Sequence, residues 1–194
     1  MVTRRTHVLR DLDQLRCLVS PMRQRMVAAL GELGEASVGE VAAHLGEPPE
    51  KLYYHLKKLV ETGLFVEVGR RPATRRPEAV YRLVEPGLIV DPKTRDGDYL
   101  EVLGEVYGAA LREAGRNLER ALEREVDQPE RGPRGPGVLV MRARLSRRHR
   151  ALVRKKLLEL AELMDELDDP AHAPFGLTAV ITPVPDTRGD GPAR

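Results

Sequence analysis

Cysteine occurs once in this chain, at Cys17, which excludes an intramolecular disulfide framework and any metal site built on a cysteine pair within one copy. Tryptophan is absent and phenylalanine occurs twice, so aromatics make up only 4% and the cores must be assembled from Leu, Val and Ala. That composition suits helices packed on helices. Nowhere are there about 18 uninterrupted apolar residues, and charges break up residues 1–19 every few positions, so neither a membrane span nor a signal peptide is expected. A soluble, cytoplasmic protein is the expectation. His7, His44, His55, His149 and His172 are scattered without metal-ligand spacing. No phosphate-cradling glycine loop or nucleophile elbow occurs either, so no metal, no cofactor and no enzymatic activity are expected.

Charge is abundant but balanced, with 32 Lys+Arg against 30 Asp+Glu and a net charge of +2. Such a sum does not announce a polyanionic partner, so distribution matters more. Residues 1–92 hold 14 Lys+Arg against 12 Asp+Glu and residues 93–194 hold 18 against 18, which leaves the excess in the first half.

At 194 residues the chain exceeds one small module, and two domains are expected, at 1–92 and 93–194. Ser20-Pro21 opens a helix, Ser20 as a side-chain cap and Pro21 at the first helical position, with Met22, Met26, Ala29, Leu30 and Leu33 at helical spacing. Gly34 closes it. Ser37 and Glu40 form a capping box for a short second helix with Val38, Val41, Ala42 and Leu45 on its apolar face. Gly46 ends that helix, Pro48-Pro49 enforce a break, and a third helix runs to about Thr62 with Leu52, Leu56, Leu59 and Val60 turned inward. After Gly63, residues 64–68 and 79–83 read as two strands joined by a Gly/Pro/Arg loop.

Helix, helix, helix, hairpin is the order needed to set one helix into a major groove about 12 Å wide. With its leucines inward, the third helix shows Glu50, Lys51, Tyr54, Lys57 and Lys58 outward, with Tyr53 to one side. Arg70, Arg71, Arg75 and Arg76 cluster at the hairpin tip, where guanidinium groups suit phosphates and a minor groove. His55 is read as core packing.

Three segments carry a resemblance: Ser20-Pro-Met-Arg-Gln-Arg-Met-Val-Ala-Ala-Leu, Val38-Gly-Glu-Val-Ala-Ala-His-Leu-Gly, and Leu52-Tyr-Tyr-His-Leu-Lys-Lys-Leu-Val-Glu-Thr-Gly-Leu-Phe. Over about residues 12–84 the chain resembles the ArsR-type winged helix-turn-helix regulators, whose "HLKxLxxAGL" run is matched from His55-Leu56-Lys57 to Gly63-Leu64. The resemblance implies base-facing roles for Glu50, Lys51, Tyr53 and Tyr54, with Lys57 nearer the phosphates. The chain departs from the family at Pro48-Pro49-Glu50, where Ser, Thr or Gln is usual. Glu50 has two readings: acceptor for a cytosine N4 amine, or a first-turn carboxylate that offsets the helix dipole. The family's metal-sensing positions are not filled, since residues 38–45 lack Cys and 98–126 lack His.

Residues 99–126 show a coiled-coil-like alternation, and Leu100, Leu103, Tyr107, Leu111, Ala114 and Leu118 are expected to pair with a second copy in a homodimer. A breaker-rich linker at 128–137 follows, then a strand at 138–144, an amphipathic helix at 146–167, a strand at 177–184 and a disordered tail at 185–194. The expected fold is α+β and mainly α: a winged helix-turn-helix, a long dimerisation helix and a small β-α-β element. The expected function is a sequence-specific, double-stranded-DNA-binding transcriptional regulator, a dimeric repressor. Two other readings stay open: a winged-helix protein-interaction module, and a sensor with an unidentified small-molecule effector.

Overall fold

The computed structural model describes residues 6–72, 77–90, 96–127, 136–169, 171–172 and 175–184. The chain divides into two compact units, Met1–Asp127 and Gln128–Arg194. The division falls after Asp127 rather than at residue 92, because the long helix expected to open a second domain packs against the first two helices of the chain.

Unit one begins with β1 (Thr6–Leu9) and α1 (Leu12–Leu18). Then come α2 (Pro21–Leu33), β2 (Glu35–Ser37), α3 (Val38–Leu45) and α4 (Pro49–Glu61). The hairpin β3 (Phe65–Arg71) and β4 (Glu78–Leu83), the strand β5 (Gly87–Val90) and the long α5 (Gly97–Asp127) complete it. One antiparallel sheet has the order β2-β4-β3, and β1 pairs in parallel with β5. Three helices with an antiparallel sheet at their flank make this a winged helix-turn-helix, on a mainly α, α+β plan.

Local chemistry accounts for the helix ends. Gly46 and Gly63 both have positive φ, 65° and 70°, which a residue with a Cβ adopts only under strain. After α3, the Glu47 N–H donates to the Ala42 carbonyl at 2.9 Å; after α4, the Leu64 N–H donates to the Leu59 carbonyl at 2.9 Å. The same glycine-dependent stop thus ends both helices of the helix-turn-helix. At the start of α3 the capping box is complete: the Glu40 N–H donates to Ser37 Oγ (3.3 Å) and the Ser37 N–H to Glu40 Oε2 (2.6 Å). Ser37 is buried, so Ser37→Ala is expected to lower stability by about 1 kcal/mol in chemical denaturation, with Ser37→Thr restoring most of it.

Ser20 departs from expectation. It stands at the N-cap of α2 without a side-chain hydrogen bond. Pro21 at the first helical position presets the helical φ, so the start of α2 is defined without that bond.

The core of unit one gathers Leu15, Met26, Leu30, Leu52, Leu59, Leu64 and Phe65, each at most 2% exposed. Val60, expected inward, is 39% exposed. Because Leu52, Leu56 and Leu59 already fill the inward arc of α4, the next position rotates out by about 100°. Strands β1 and β5 enclose the other side: Tyr99 Oη donates to the Leu9 carbonyl at 2.7 Å, joining α5 to β1. Gln24 Nε2 donates to the carbonyls of Leu18 (2.7 Å) and Val106 (3.0 Å), joining α2 to α1 and α5.

Unit two contains α6 (Arg147–Glu166), capped by Ser146 Oγ, which accepts from the His149 N–H at 3.2 Å. The strands expected at 138–144 and 177–184 are not formed: among the described residues, neither segment has a ladder partner. Val138, Leu139, Val140 and Met141 are 69–85% exposed, so within one copy these segments lack the apolar cover that would hold them as a sheet. The expected β-α-β element is therefore a helix flanked by two unpaired segments. The tail at 185–194, most of the linker at 128–137 and the loop arginines Arg75 and Arg76 lie outside the described residues. No described helix is long and apolar enough to cross a membrane.

Candidate nucleic-acid interface

α4 is amphipathic because Leu52, Leu56 and Leu59 recur at helical spacing and are buried, which leaves the opposite arc to polar and aromatic side chains. On that arc Tyr53 and Tyr54 are 58% and 63% exposed. The Lys51 and Lys57 side chains are exposed too, and Lys58 is partly exposed. Glu50 lies exposed in the first turn of the helix, beside the unsatisfied N–H groups. Thirteen residues make a rod of about 20 Å, long enough to lie along a major groove.

Carboxylates hold the lysines of this face. Glu47 takes Arg25 at 2.9 Å and Lys51 at 3.7 Å; Glu61 takes Lys58 at 2.9 Å and Lys57 at 3.8 Å. The hydrogen bond from Arg25 holds the Glu47 carboxyl below its ordinary range, and that from Lys58 does the same for Glu61. The lysine ends of these pairs lie in solvent, where water and salt screen the attraction, so an incoming phosphate can take over the lysines at little cost.

The wing is more tightly engaged than its sequence indicates. Arg71 Nη1 lies 3.1 Å from Glu40 Oε1, and its Nη2 donates to the Glu35 carbonyl at 3.4 Å, so Arg71 ties β3 back to the start of α3. Arg70 lies 3.6 Å from Glu67. A bulge between Glu67 and Gly69 interrupts the register of β3 and turns the strand end that carries both arginines.

Further polar side chains position α4, and nothing in their sequence spacing marks them. Gln14 Nε2 donates to the Thr62 carbonyl at 3.0 Å, while Gln14 Oε1 lies 3.1 Å from His7 Nε2, so α1 and β1 hold the end of α4. Arg23 donates to the Cys17 carbonyl and lines an open groove beside Tyr54 and Lys58, adding a cation to that edge. Among the described residues no group of three or more His, Cys, Asp or Glu side chains converges to hold a metal ion.

His55 sits half-buried under this face with Tyr54 edge-on at 5.5 Å, and its buried Nδ1 has no hydrogen-bond partner among the described residues. Burial, and then the Arg23 charge, hold its pKa below the ordinary 6.5. The unfolded chain therefore binds this proton more readily than the folded one, so stability is lost as pH falls from 6.5 toward the depressed value. In urea titrations between pH 7.5 and 5.5, His55→Gln is expected to flatten that loss, whose slope cannot exceed about 1.4 kcal/mol per pH unit for one proton. An unchanged slope would mean that His55 carries none of it.

On α5, Leu100, Tyr107 and Leu111 are 44–51% exposed, with Ala114 and Leu118 half-buried on the same side. Leu103 departs from the expected dimer stripe. It is partly buried against the core, beside the buried Tyr99, Val106 and Ala109, because α1 and α2 cover that flank of the helix.

Comparison with curated proteins finds no match to the chain. A family model described as a helix-turn-helix domain matches residues 18–69, which span α2, α3, α4 and the start of the wing. Residues 18–69 are thus similar to a helix-turn-helix domain family found in ArsR-type regulators, a likeness that points to DNA binding in transcriptional regulation.

Proposed function

We propose that this protein is an ArsR-like, sequence-specific regulator that binds double-stranded DNA as a homodimer and acts as a repressor. The observation that carries the reading is α4: buried on its leucine side, held at its end by Gln14, and presenting Tyr53, Tyr54, Lys51 and Lys57 to solvent within the matched helix-turn-helix. Arg70 and the loop arginines Arg75 and Arg76 supply phosphate contacts from the wing. The exposed side of α5, at Leu100, Tyr107 and Leu111, pairs with its copy and sets the two recognition helices about 34–36 Å apart on a pseudo-palindromic site. The reading assigns the chain no enzymatic activity and a cytoplasmic location.

Electrophoretic shift of the DNA upstream of its own gene against an unrelated duplex, at two salt concentrations, tests this. A site-specific shift that weakens steeply with salt supports the regulator. No binding at low salt overturns it and leaves the winged fold as a protein-interaction module.

A further inference from the structure

We infer that α6 is a second self-association element, pairing antiparallel with α6 of another copy. Val153, Leu157, Leu160, Met164 and Leu167 follow one another at spacings of 4, 3, 4 and 3, which places them on one stripe of the helix. No residue of α6 is fully buried: Val153, Leu160 and Leu167 are 39%, 41% and 71% exposed and Leu157 and Met164 half-buried, so the stripe stays largely open among the described residues of its own unit.

Charge names the occupant and its direction. Residues 147–156 hold six Arg and Lys and no carboxylate, while residues 159–169 hold six Asp and Glu and no Lys or Arg. Both halves oppose the helix dipole, and Lys155 and Lys156 meet Glu159 at the junction of the two blocks. A parallel copy would set cations abreast of cations. An antiparallel copy sets each block against its opposite and corrects the dipole mismatch at both ends. In that alignment Val153 faces the second copy's Met164 and Leu157 its Leu160. Arg147 opens one end of the helix and Asp168 lies just past its C-cap Leu167, so the antiparallel pairing brings this cation and this carboxylate to the same end of the seam. This deepens the homodimer part of the proposed function and does not depend on DNA binding.

The test uses the full chain, whose native Cys17 is buried. Val153→Cys and Met164→Cys chains, mixed and mildly oxidised, are expected to give a disulfide-linked dimer that neither variant forms alone; circular dichroism checks that both remain folded. Spin labels at Arg148→Cys are expected to lie roughly 30 Å apart across the pair and those at Leu158→Cys much closer, from 1.5 Å of rise per residue. Val153→Cys linking to itself, or equally short distances at both label sites, would show a parallel pair and overturn the inference. No link in the mixture and no inter-copy distance at either site would overturn it too, while leaving an α5 dimer and its DNA binding intact.

Discussion

Replacing Tyr54 and Lys57 together by alanine is expected to weaken binding to the specific duplex by about 30-fold or more while leaving the fold unchanged. Both side chains stand on the exposed arc of α4, away from Leu52, Leu56 and Leu59. Their truncation removes almost no buried apolar surface, so the stability cost should stay within about 0.5 kcal/mol. The affinity cost has two parts. A base-edge contact is worth about 1–3 kcal/mol, and one lost phosphate contact lowers the slope of log K against log salt by about 0.9. Lys57→Ala alone should therefore reduce the salt slope and weaken all sequences alike. Tyr54→Ala alone should instead narrow the gap between specific and nonspecific DNA. Unchanged affinity in the folded double variant would move the interaction-module reading to the front.

Leu59→Ala should destabilise unit one by about 2–5 kcal/mol, because Leu59 is 0% exposed and its loss leaves a cavity that close-packed neighbours fill only in part. Against a total stability of about 5–15 kcal/mol, this is a large fraction. Thermal unfolding should move down by about 8–20 °C for a unit of this size. Val60→Ala is the matched control. It sits one residue along, is 39% exposed, and should cost well under 1 kcal/mol. Equal losses at the two positions would mean that α4 is rotated from the position described. Since α4 carries the exposed tyrosines and lysines, Leu59→Ala should also abolish DNA binding near its melting temperature, but not at low temperature, where the fold persists.

The winged helix-turn-helix was legible because its boundaries are set by neighbours in sequence. Gly46 and Gly63 stop their helices, Ser37 and Glu40 start α3, and Pro48-Pro49 force the turn before α4. Each acts over three to six residues, and backbone hydrogen-bonding and φ preferences need nothing from elsewhere. The leucine period of α4 likewise places Tyr54 and Lys57 opposite the core, with only Val60 misjudged at the edge of the arc.

Longer-range pairings were not legible. Strands β1 and β5 are four residues each and pair with each other across some 80 positions, so neither contains a signal for its partner. Arg71 reads as a free wing cation until the fold brings Glu40, 31 residues away, to 3.1 Å. Leu103 and Leu111 look equivalent on the helical period of α5; only the approach of α1 and α2 sends one to the core and leaves the other exposed. In unit two, hydropathy marks 138–144 and 177–184 as strand-forming, yet a strand exists only where a partner supplies hydrogen bonds and apolar cover, and within the described residues of one copy neither segment has them. By itself, then, the sequence determined the helices, their stops and the exposed face of α4, because those depend on local backbone chemistry. The tertiary structure alone decided which apolar and charged side chains remain available to another molecule, because availability depends on what the rest of the chain has already covered.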